Sequence, residues 1–175
     1  MKRMTILMAM FFATAVIATS CKDDDDNNNT NITQTDKDFM IKAGYSNRDE
    51  IDFAQLALTN SSNDSVKNFA QMMITEHTAA TASLDSIANR YVVTLPTTID
   101  SMHAEMKNRL AGLAGFNFDT AYMNSQILDH NNAITLFQNE ATVGNNFDVK
   151  NFATMNLPHL QMHLQRAQAV RDLLD

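Results

Sequence analysis

One cysteine, two prolines, four glycines and no tryptophan occur in this chain of 175 residues. A single cysteine excludes an internal disulfide and any zinc or iron–sulfur site built from several thiolates. So few prolines and glycines leave too little turn chemistry for an all-β fold and favour long helices. Basic residues are also scarce, 13 Lys and Arg against 20 Asp and Glu, for a formal net charge of −7. That excludes a nucleic-acid partner, because neutralising phosphates takes clustered Lys and Arg. Glu-x-x-His, His-Glu-x-x-His, a Gly-rich phosphate loop and the common serine or cysteine nucleophile signatures are all missing. Without Glu-x-x-His, an oxidative di-iron centre of the helical-bundle type has no ligand set.

What is present begins with a leader. Lys2 and Arg3 precede an apolar run from Ile6 to Ala18, too short for a membrane-spanning helix of about 20 residues. Ala18, Thr19 and Ser20 lead to Cys21. This is the layout of a secretory signal peptide, and it resembles a bacterial lipoprotein signal, with Cys21 as the lipidated residue. Lys22 followed by Asp23 to Asp26 looks like the surface-export signal of Bacteroidetes lipoproteins. The reading is therefore residues 1–20 as signal peptide, 21–36 as a lipidated cysteine with a disordered acidic and Asn-rich tether, and 37–175 as the folded domain. It places the protein in the cell envelope as an outer-membrane lipoprotein facing outward. An acidic chain gains nothing from anionic headgroups, so the membrane contact is the lipid.

The folded part reads as helices throughout. In residues 64–91, Val66, Phe69, Ala70, Met73, His77, Ala80, Leu84, Ile87 and Tyr91 recur at three- and four-residue steps, one face of a long helix. A first helix ends near Asn60, with Phe39, Ala43, Ser46, Glu50, Phe53 and Ala57 on its stripe and Gly44 as a weak point. A shorter third helix spans about 98–113. A fourth, capped by Asp119, carries Met123, Ile127, His130, Ile134, Phe137 and Ala141. A fifth from Asp148 carries Val149, Ala153, Asn156, Leu160, His163, Ala167 and Val170, with a kink expected at Pro158. Two short hairpin loops make the first and second, and the fourth and fifth, antiparallel neighbours. The long second-to-fourth connection holds the short helix. The expectation is an all-α, ferritin-like four-helix bundle with one shorter crossover helix, up-down-down-up.

Each long helix carries one candidate ligand on its inward stripe: Glu50, His77, His130 and His163. Counted from the helix ends they lie about 12–15 residues up, a spread of about 4–5 Å at 1.5 Å per residue. They therefore share one mid-bundle layer. One reading is a metal site, since imidazoles and a carboxylate suit divalent transition ions. His159, four residues before His163, could chelate with it, and Glu76, Asp129 and Glu140 could accept from the ligands. The other reading is a buried polar layer whose members satisfy one another and fix helix register. His103, on the short helix, is expected at the surface.

The chain also resembles a family. Asp38-Phe39 with Glu50-Ile51, Val66-Lys67-Asn68-Phe69-Ala70, Glu76-His77-Thr78, Phe118-Asp119-Thr120-Ala121-Tyr122, His130, Glu140-Ala141 and Leu157-Pro158-His159-Leu160 with His163 carry the likeness. Together they are similar to the bacterial envelope proteins grouped as domain of unknown function 4142, described as predicted outer-membrane proteins and placed among ferritin-like folds. The resemblance implies the fold and an envelope location over residues 38–170, and no catalytic role. Two functions follow as expectations: a lipid-anchored, non-catalytic interaction module with an unnamed protein partner, or a metal-binding or redox protein centred on the histidine layer.

Overall fold

The computed structural model describes residues 30–174. The leader, Cys21 and the acidic run of residues 22–26 lie outside the described residues, as do the expectations that rest on them. Among the described residues there are five helices and no strand: α1 (Gln34–Asn60), α2 (Asp64–Arg90), α3 (Ser101–Ala111), α4 (Gly115–Val143) and α5 (Phe147–Asp172). None of these is long and apolar enough to cross a membrane.

Local chemistry sets most of the ends. Thr33 and Asp36 form a reciprocal capping box at the start of α1. Asn63 and Asn146 cap α2 and α5 with their side-chain oxygens, and Asp100 caps α3 by accepting from the His103 amide at 2.9 Å. The C-terminus of α2 closes with Val93 N–H donating to the Ala88 carbonyl, five residues back. That closure puts Val92 at φ 55°, a left-handed position usually left to glycine.

Two ends depart from expectation. α3 begins at Ser101 rather than near Thr98, because Asp100 is the residue that caps it. α4 begins at Gly115, four residues before Asp119, on Ala114 with no side-chain cap. Phe118 explains the extension: it is fully buried and stacks on Tyr122. Burying a Phe is worth about 1.5–3 kcal/mol, more than the roughly 1 kcal/mol of a missing cap. α5 continues through Pro158 without a break.

α1 packs along α2, and α4 along α5; α1 also meets α4, α2 meets α5, and α3 lies against α1 and α4. The core of this helical bundle is in two parts. One holds Phe53, Val66, Phe69, Met73, Phe118, Tyr122 and Ala167. The other holds Phe39, Met40, Leu84, Phe137, Phe152 and Leu160, with Phe39, Phe137 and Phe152 in mutual ring contact. Between them, every long helix supplies buried polar side chains: Asn47 and Glu50, His77, Gln126 and His130, and His163.

Gly44 is less a weak point than a fitting. A Cβ there would stand 2.9 Å from Pro96 Cδ. The missing side chain lets the α2–α3 connection cross α1, where Arg48 Nε donates to the Pro96 carbonyl at 2.6 Å.

Candidate metal centre

His77, His130 and His163 come together from α2, α4 and α5. Their ring centroids form a nearly even triangle, 5.9 Å between His77 and His130 and 5.3 Å on each of the other sides. One ring nitrogen from each lies within 4.8 Å of the others, and all three side chains are buried.

Each ring is held by one nitrogen to an acceptor outside the triangle. His77 Nδ1 meets Asn47 Oδ1 at 2.9 Å, His130 Nδ1 meets the Gln126 carbonyl at 2.8 Å, and His163 Nε2 meets Glu76 Oε2 at 2.9 Å. Oxygen acceptors require N–H donors, so these contacts assign the tautomers. The other three nitrogens, His77 Nε2, His130 Nε2 and His163 Nδ1, are buried with no hydrogen-bond partner. They carry the lone pairs.

The electrostatics keep them that way. Burial pushes the His77 imidazole well below its usual range, with His130 and His163 adding to the effect. Burial also lowers His130, against the Gln126 carbonyl and the Asp129 charge. It takes His163 down to about 4 even though Glu76 pulls the other way. Glu76 remains a carboxylate: burial would raise it, but hydrogen bonds from His163 and His159 outweigh that. Neutral imidazoles, each oriented by a carboxylate or carbonyl behind it, are the form in which histidine binds metals.

Not every sequence candidate joins the triangle. Glu50 is buried at the same level but on the far side of His130, its Oε1 3.6 Å from the nitrogen that already serves Gln126. Asn47, one turn earlier on α1, takes the place beside His77, because a step of three residues turns a side chain about 60° short of a full turn. His159 does share a face with His163, but its side chain is 62% exposed and its Nδ1 meets Glu76 at 3.3 Å. The two histidines thus meet the same carboxylate oxygen of Glu76. Asp129 stands by His103, 3.6 Å from Nε2, away from the three rings. Glu140 lies at the end of α4 beside Asp36, about 15 Å along the helix from His130 at 1.5 Å per residue. Its expected role as an acceptor for the layer is corrected accordingly.

Three contributors were missed in the sequence: Asn47, the Gln126 carbonyl and His103. Asn47 had a signal, lying on the inward face of α1 between Ala43 and Glu50. The carbonyl had none, because backbone acceptors carry no residue code. His103 proves mostly covered, by Asp49, Asp100 and Asp129.

A cleft of about 530 Å³ between α2 and α5 reaches the triangle, with Ser83, Asn156, Met162 and His159 among its walls. His77 and His163 line it as well.

No curated protein matches the chain. Two solved structures are similar in fold. A DUF305 fragment from Deinococcus radiodurans is 14% identical with a TM-score of 0.72, covering 81% of this chain and 97% of that one. CopM in the Cu(I)-bound form is 16% identical with a TM-score of 0.65, covering 78% and 95%. At such identities the likeness concerns the fold alone. Residues 22–170 match the family described as Domain of unknown function (DUF4142), and the chain belongs to that family.

Proposed function

We propose that this protein is a lipid-tethered envelope domain that holds one transition-metal ion, zinc or copper, on His77, His130 and His163. The observations that carry the reading are that each ring keeps one buried nitrogen without a partner, and that one nitrogen from each ring lies within 4.8 Å of the others. A self-satisfied polar layer would need the rings to hydrogen-bond one another. Each is instead bonded outward. Three uncompensated buried acceptors cost stability with no return unless something fills them.

Three imidazoles with a fourth position left to another ligand suit tetrahedral zinc. Copper(II) stands above zinc in the usual affinity order. The likeness in fold to CopM, solved with Cu(I), supports including copper among the ions tested. The chemistry of such a centre is binding and holding an ion. The ferritin-like, up-down-down-up arrangement belongs to the same reading. In α1 and α5 the Phe39 core comes before the polar residues, and in α2 and α4 it comes after them, as that topology requires.

The test is metal content. The stripped chain should take up one equivalent of zinc or copper, and a His77→Ala, His130→Ala double variant should weaken binding by at least about 100-fold, having lost two of three ligands. Equal loading of both proteins would end the proposal.

The anchor has a separate test. The leader ending in Cys21 supports outer-membrane tethering. Cys21→Ser should move the protein from the membrane pellet to the soluble fraction. Unchanged sedimentation with membranes would contradict the lipid anchor and leave the metal reading untouched.

A further inference from the structure

Across the polar layer from the three histidines lies a second cleft, of about 360 Å³. α1 brings Asp49 and Glu50 to it, the first turn of α3 brings His103 with its capping Asp100, and α4 brings Asp129. His103 Nδ1 is 2.7 Å from Asp100 Oδ2 and 3.2 Å from Asp49 Oδ2, and its Nε2 is 3.6 Å from Asp129 Oδ1. One ligand atom each from Asp49, Asp100 and His103 lies within 4.8 Å of the other two.

Acidity alone would say little, since carboxylates cluster on many surfaces. The burial says more. Asp49 is 4% exposed and Glu50 3%, and both line the cleft. Neither oxygen of Asp49 has a hydrogen-bond partner, nor does Glu50 Oε2. The Nδ1–H of His103 is spent on Asp100. Four carboxyl groups thus face one imidazole, and two of them are taken out of water with oxygens that lack a well-formed hydrogen bond. Buried carboxylates in that condition call for a cation.

We propose that Asp49, Asp100 and His103 form a second cation site, for a hard divalent ion such as Mn²⁺, with Asp129 positioning the His103 ring. Carboxylate-rich sites select magnesium, calcium or manganese, and an imidazole among them favours manganese. The ring is already arranged for this. Nδ1 faces Asp49 and Asp100, while Nε2 faces Asp129 at 3.6 Å as the back side of a carboxylate–histidine–metal unit. On binding, His103 Nδ1 gives its proton to solvent and the ion takes that place. Ligand atoms on one ion stand at most about 4.4 Å apart for bonds near 2.2 Å, and His103 Nδ1 already lies 2.7 Å from Asp100 Oδ2 and 3.2 Å from Asp49 Oδ2. The proposal shares no ligand with the three-histidine site and does not rest on it.

The probe is Mn²⁺ alone, titrated into the full metal-stripped chain and followed by the EPR signal of the free ion. The expected result is one Mn²⁺ per chain. Asp49→Asn and Asp100→Asn should each weaken it at least about 10-fold, the order of effect seen when metal-site groups are lost. Both changes keep side-chain shape, and Asn at 100 still caps α3. The His77→Ala, His130→Ala variant should bind Mn²⁺ within twofold of wild type, so loss of zinc there and loss of Mn²⁺ here are separate outcomes. The site is overturned if the wild-type chain takes up no Mn²⁺, if either carboxamide variant binds it as tightly as wild type, or if the histidine double variant loses it.

Discussion

Asp36→Ala is expected to lower the free energy of unfolding by about 3–5 kcal/mol, the scale of removing a buried, hydrogen-bonded charge. The carboxylate is fully buried and accepts four hydrogen bonds, the capping-box bond among them. Thr33 N and Oγ1 donate at 2.7 and 2.6 Å, and the amides of Asn145 and Asn146 donate at 2.9 and 3.2 Å. One side chain therefore closes the capping box of α1 and pins the α4–α5 turn to it. Asn146, itself the cap of α5, is fully buried, so truncation leaves its amide without a partner. Summing each bond separately would overstate the loss, because water can reach the exposed Asn145. Asp36→Asn should cost less, about 1–2 kcal/mol, since it keeps the shape and loses the charge. Urea unfolding measures both. A loss below about 1 kcal/mol for Asp36→Ala would show that the turn is held by something else.

The same residue has a pH signature. Burial alone would raise the Asp36 carboxyl, but the hydrogen bonds from Thr33, Asn145 and Asn146 outweigh it and set it below the ordinary value. A depressed folded value means stability that is present above the unfolded carboxylate range and lost as pH falls through the folded one.

How far the sequence reaches is clearest along α4. Helix existence followed from apolar spacing, because periodicity survives errors in any one position. Of the stripe inferred there, Met123, His130 and Phe137 are buried, but Ile127, Ile134 and Ala141 are only half-buried, and Tyr122, Gln126, Ala133 and Glu140 complete the inward face. A hydrophobicity pattern cannot flag an inward Gln or Glu, whose burial depends on partners in other helices. The height of the histidines was legible because rise per residue is fixed. Their rotation was not, which is why Glu50 was placed where Asn47 sits. His103 was read as surface because its own helix is short and polar. Its cover comes from α1 and α4, a contact that no local window contains.

Stability in metal-free buffer is expected to peak near pH 6–7 and fall by about 3 kcal/mol between pH 6.5 and 8.5. Burial pushes Asp49 up to about 7, Glu50 up to about 8 and Glu140 up to about 7. The folded chain holds protons there that the unfolded chain releases near pH 4. Their contribution is therefore fully present below that value and lost as pH rises through about 7–8. His103 is raised to about 9, first by Asp129 and then by Asp100 and Asp49 against its burial. Its stabilisation is intact below about 6.5 and lost towards 9. The three triangle histidines act oppositely, being lowered in the fold. They favour folding as pH rises to about 6.5 and nothing further above it. The two sets cancel in part on the acid side, and only the losses continue on the alkaline side. Glu50→Gln tests this because it imitates the protonated acid. It should raise the melting temperature more at pH 8.5 than at pH 5.5, with about 1–2 kcal/mol of additional stability recovered over that interval. A chelator must be present throughout, since an ion in the acidic cleft would mask the carboxylates. Wild-type protein that melts higher at pH 8.5 than at 6.5, or a Glu50→Gln curve parallel to it, would show that these buried acids ionise without cost to the fold.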